Sequence, residues 1–180
     1  MLIAKEKRKT NIAEYILYLW QIEDLLRALN FDLDKIGKDI VSRFDTDDET
    51  RLEIYQWYKN LVIMMQKEQV TRTGHVQFLT NMVDELNRFH IRLLQASNDS
   101  RYLQLFQVAK PIIDEFRTKS DAPEAHDIHI ALCLLYSILL MKLKGSDLSP
   151  STLQASSAIG QFTGHLAARY RQYEEGEFEI

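Results

Sequence analysis

One cysteine, three prolines and six glycines in 180 residues are too few for several classes of structure. Cys133 has no second cysteine to pair with, so disulfide-stapled scaffolds are excluded and a reducing compartment is expected. So few glycines and prolines leave little material for the repeated tight turns of an all-β chain. Excess positive charge is missing as well. Lys and Arg number 22 against 26 Asp and Glu, a net charge of -4, whereas nucleic-acid domains are usually basic. No apolar run reaches the roughly 20 residues that span a bilayer. The opening MLIAKEKRKTNIAEY has no apolar stretch ahead of a small-residue cleavage site, so no signal peptide is expected. The expected address is cytoplasmic, with neither nucleic acid nor membrane as partner.

Signature motifs are equally scarce. There is no Gly-x-Ser-x-Gly, no phosphate-cradling Gly-rich loop, no Cys-x-x-Cys and no Glu-x-x-His, which removes the common nucleophile elbow, nucleotide, zinc and di-iron patterns. The acidic run DTDDET near Asp47 lacks the Gly and Glu spacing of an EF-hand. Carboxylates there suit the positive end of a helix instead. The basic cluster Lys5, Lys7, Arg8 and Lys9 is short and broken by Glu6, the pattern of a solvated face.

What remains is helical periodicity. The stretch Ile128 to Leu143 has thirteen apolar residues in sixteen, interrupted only by His129, Ser137 and Lys142. A helix apolar on most sides belongs inside a bundle, so a central helix over about 123–144 is predicted, with Pro123 opening it and Gly145 ending it. Three- and four-residue spacing marks its neighbours. Asn11 and Glu14 form a capping-box-like start for a helix on Ile12, Tyr15, Leu19, Ile22, Leu26 and Leu29, which could begin earlier within 4–10. Asp32 caps a short helix on Leu33, Ile36, Ile40, Val41 and Phe44. Further helices follow from near Asp47 to about Val70 on Ile54 to Met65, after Thr73-Gly74 to about Ala96 on Val76 to Leu93 with His90 in the seam, from about Arg101 to Arg117, and from Ser149-Pro150 to about Tyr173. Pro111 is predicted to bend the fifth of these and free the Gln107 carbonyl. The fold class is therefore all-α, a bundle of six or seven antiparallel helices in one domain spanning 1–180. A basic segment 1–10 precedes it and an acidic tail 174–180 is expected to fray.

The segments KEKRKTNIAEYILYLWQIEDLLRA and LLYSILLMKLKGSDLSPSTLQA resemble a family of bacterial proteins described only as a domain of unknown function. The resemblance covers essentially the whole chain through overall pattern. It implies a bacterial, cytoplasmic, all-helical protein, and it carries over no activity, cofactor or site residue.

Three features bear on function. Glu23 lies at the edge of the first apolar face, and Arg27 is its expected ion-pair partner. His126, His129 and Cys133 project from one side of the central helix, and imidazole and thiolate are zinc donors. The set is incomplete, however, and burial should raise the Cys133 thiol pKa, so no metal, cofactor or catalytic residue is assigned. Ser156, Gly160, Gly164 and Ala168 form a small-residue stripe on the last helix, where another helix of this chain or of a second one could approach closely, or a ligand groove could lie. Two readings stand. One is a non-enzymatic helical interaction or scaffold module with a protein partner or a second copy. The other is a helical-bundle metalloprotein or small-ligand binder using the histidine edge.

Overall fold

Local capping residues set most of the element boundaries. The computed structural model describes residues 2–179, apart from the side chains of residues 2, 3 and 5; of the sequence features above, Met1, the Lys5 side chain and Ile180 lie outside them. The described residues form eight α-helices and no strand: α1 (Leu2–Thr10), α2 (Ile12–Ala28), α3 (Leu33–Lys35), α4 (Asp48–Lys67), α5 (Gln77–Ala96), α6 (Ser100–Arg117), α7 (Asp127–Leu143) and α8 (Pro150–Glu174). The count exceeds the six or seven expected because Asn11 breaks the first helix in two. Its backbone is extended (φ −155°), and its side chain accepts from the Glu14 amide at 3.1 Å. Asp32, Asp47, Asp99 and Ser149 cap α3, α4, α6 and α8 in the same way, each satisfying amides that have no partner inside the helix.

The segment after α3 continues as a π turn (Ile36–Ile40) and a 3-10 turn (Val41–Arg43). Ile36 and Val41 are both buried. Five residues apart, they would diverge around a regular helix, and the wider π turn aligns them on the core. The apolar helix α7 also starts later than predicted. Pro123 lies in the preceding loop, and His126 is the N-cap, its Nδ1 accepting from the His129 amide at 3.1 Å. Gly145 does end it, in the left-handed conformation (φ +71°) that an L side chain adopts only with strain.

One apolar cluster draws residues from α2, the π and 3-10 turns and α4 through α8. Helix α7 buries Ile128, Ile130, Ala131, Leu132, Leu134 and Ile138 and packs against α2, α5, α6 and α8. Its end emerges into solvent, with Met141 39% and Leu143 59% exposed. Helix α8 shares the centre, meeting α1, α2, α5, α6 and α7. The most extensive pairing joins α6 to α8, so packing neighbours are not always chain neighbours. Pro111 and Gln107, whose carbonyl the proline leaves without its helical partner, are both exposed residues.

The described part of the acidic tail, residues 174–179, makes specific contacts. Gly176 (φ +73°) closes a turn in which the Glu177 amide donates to the Gln172 carbonyl at 2.8 Å. Phe178 lies under the Arg169 guanidinium, 5.0 Å from carbon to ring centroid. Arg8 of α1 makes a two-pronged ion pair with Glu174, at 2.7 and 2.9 Å.

Candidate functional site

Glu23 and Asp24, adjacent on α2, organise the most chemically distinctive region of the molecule. Glu23 is fully buried. Its partner is not Arg27 but His75, fifty-two residues away: Oε2 lies 2.5 Å from His75 Nδ1, and Oε1 accepts from the Val76 amide at 2.9 Å. The carboxylate thus sits at the N-terminal end of α5, where the helix dipole favours negative charge. Arg27 turns to other acceptors. It donates to Asp24 at 2.7 Å, to the Val70 carbonyl at 3.0 Å and to the Gly74 carbonyl. Asp24 in turn accepts from the Tyr136 hydroxyl at 2.6 Å. These bonds fix the loop between α4 and α5 against α2 and α7.

His75, so held, stacks on the buried Trp20 with ring centroids 4.3 Å apart and planes 12° from parallel. Tyr136 meets the same indole edge-on at 5.7 Å, and His129 lies tilted at 6.0 Å. The Trp20 Nε1–H is buried and finds no acceptor among the described residues. Beside this group opens a cleft of about 620 Å3, lined by Trp20, His75, His129, Cys133 and Tyr136 and rimmed by Phe116 and the loop before α7. Its volume lies within the range typical of small-molecule sites.

The structure splits the predicted histidine edge. His129 and Cys133 face the cleft. His126 does not: one ring nitrogen caps α7 and the other lies 3.2 Å from Asp84. Burial, reinforced by the charges of His126 and His75, holds His129 below the usual histidine range. Burial pushes the Cys133 thiol up to about 11, so at neutral pH it is neither thiolate nor ready ligand. Among the described residues no three His, Cys, Asp or Glu side chains converge as a metal site requires.

The other histidines are structural. His90 sits in the core between Phe106 and Phe162, its Nδ1 2.5 Å from the Tyr102 hydroxyl. His165 and Arg169 of α8 bind the Asp99 cap at 2.8 and 2.6 Å, fastening α8 to the start of α6.

Among the described residues no other helix of this chain comes close to the glycines of the small-residue stripe. A Cβ at Gly160 or at Gly164 would meet nothing within 4 Å. Gly160 and Ala168 are exposed, Ser156 and Gly164 half-buried. The close packing side of α8 is instead Ile159, Phe162, Leu166 and Tyr170.

Trp20, His75 and Tyr136 carried no motif that could have announced the cleft. The one available signal was Glu23, a carboxylate on an apolar face that had to find a partner.

Among the described residues no helix is long and apolar enough to cross a membrane. No curated protein and no solved structure matches the chain. A family model does match, over residues 1–177, and the chain belongs to that family, described as Domain of unknown function (DUF4924).

Proposed function

We propose that the protein is a non-enzymatic helical binding module of a bacterial cytoplasm, and that the cleft between α2, α7 and the α4–α5 loop holds a small, largely apolar ligand. The supporting observation is the cleft of about 620 Å3 walled by Trp20, His75 and Tyr136. Its walls are pre-organised by the bonds of Glu23 and Asp24, which lowers the ordering cost of binding. A reactive centre has less support, because the cleft thiol is held in its protonated form.

Titration with a panel of one- and two-ring aromatic fragments, followed by NMR, tests this reading. The Trp20 indole N–H, His75 and Tyr136 resonances are expected to shift together and saturably. Shifts scattered over the surface, or none, would refute a ligand cleft.

A second reading concerns protein partners. In the strip Ser156, Gly160, Gly164 and Ala168, the described residues leave open space over Gly160 and Gly164, and Gly160 and Ala168 are exposed, so a second copy could approach there. Sedimentation equilibrium over a wide concentration range decides: a single monomeric mass at every concentration removes self-association.

A further inference from the structure

Resting on the ligand-cleft reading, the geometry points to the class of ligand and to the atom that selects it: we infer that the cleft takes a planar aromatic compound bearing a hydroxyl, which donates its hydrogen bond to His75 Nε2. The argument starts from which polar groups are already engaged. The Tyr136 hydroxyl is committed to Asp24 at 2.6 Å, and the Ser137 hydroxyl to the Cys133 carbonyl at 2.8 Å. Ser120 bonds the Arg117 carbonyl at 3.0 Å, and Lys119, the cation on the rim, pairs with Glu115 at 2.6 Å. Asp121, also on the rim, repels anions. A phosphate would find no unpaired cation here, and a sugar too few partners for its many hydroxyls. The walls offer Trp20, Tyr136 and Phe116, which favour a flat ring.

Two imidazoles remain unengaged on the cleft side. Among the described residues neither His75 Nε2 nor the His129 ring nitrogens have a partner, and none is sealed from solvent. They differ in one respect. Glu23 Oε2 lies 2.5 Å from His75 Nδ1, and an ionised carboxylate can only accept, so in the neutral ring the hydrogen sits on Nδ1 and Nε2 presents a lone pair to the cleft. No equivalent partner fixes the His129 ring. His75 is therefore the oriented acceptor, Glu23 is its positioning residue, and the complementary ligand atom is an O–H.

The test compares 2-naphthol with 2-methoxynaphthalene by calorimetry at neutral pH. The two share a ring system and differ in the single hydrogen. Native protein is expected to bind the naphthol about tenfold more tightly, because the ether leaves the acceptor unpaired. Glu23→Gln should erase that preference. Its amide oxygen still accepts from the Val76 amide while its NH2 donates to Nδ1, which moves the ring hydrogen to Nε2. Should that variant fail to fold, His75→Asn, whose amide takes the place of Nδ1, keeps a donor for Glu23 and withdraws Nε2, with the same expected loss. Equal binding of both compounds by the native protein overturns the hydroxyl assignment alone. A preference that survives in the folded variant transfers the role to His129 and overturns the assignment to His75. If neither compound binds, the ligand-cleft reading fails and this inference fails with it.

Discussion

His90 and Asp99 show how burial and hydrogen bonding set opposite acid responses in neighbouring residues. Burial among aromatic rings lowers His90 from the ordinary 6.5 to about 4. Between those values the unfolded chain binds a proton that the folded one refuses, so this contribution is complete above about 6.5 and is lost as pH falls towards 4. Burial acting alone would raise Asp99, but bonds from His165, the Tyr102 amide and Arg169 outweigh it and hold it near 2, against an ordinary 3.8. Its contribution is present above 3.8 and disappears as pH drops towards 2. Urea melts across pH should therefore show stability falling in two stages on acidification. In the first, His90 contributes up to about 1.4 kcal/mol per pH unit. His90→Gln, which retains an acceptor for Tyr102, is expected to flatten the first stage only. An unchanged slope would mean that His90 is protonated in the fold. Glu23→Ala should cost about 1–3 kcal/mol, since the buried Val76 amide loses its acceptor; a melt within error of the native one would show that water replaces the carboxylate.

Among the elements, α8 and the α4–α5 loop give the sharpest expectations. Because a Cβ at Gly160 or Gly164 meets nothing within 4 Å, alanine at either position should gain helix propensity without a clash, raising stability by about 1 kcal/mol each. A lowered melting temperature would place another body against the strip, and a dependence of the midpoint on protein concentration would identify it as a second copy. The loop answers to Arg27, which donates to the carbonyls of Val70 and Gly74. Arg27→Ala should speed amide hydrogen exchange across residues 70–75, while amides in the middle of α5 keep their protection. Uniformly faster exchange would mean instead that the whole fold has been weakened.

For the whole molecule, one apolar cluster reaching from α2 to α8 predicts a single cooperative transition, with near- and far-ultraviolet circular dichroism melting together. Separated transitions would divide the chain into two folding units.

The helices were legible in the sequence because their causes are local. Apolar spacing reports a buried face, and Asn11, Asp32, Asp47, Asp99 and Ser149 satisfy amides within three residues of themselves. The all-α class followed from that spacing; the family was legible separately, as the resemblance of the segments KEKRKTNIAEYILYLWQIEDLLRA and LLYSILLMKLKGSDLSPSTLQA, which the family model bears out over residues 1–177. Where the local sign was ambiguous, boundaries slipped: proline at 123 suits a helix start, yet His126 supplies the cap. The cleft was a different matter. It depends on Glu23 meeting His75 across fifty-two residues and on Asp24 meeting Tyr136 across one hundred and twelve. Arg27 was the nearer cation to Glu23 in sequence, but the α4–α5 loop offered it carbonyls that needed a donor. A carboxylate on an apolar face tells a reader that a partner is required. Which partner it finds is fixed only when the helices pack, because burial removes the water that would otherwise serve every candidate equally.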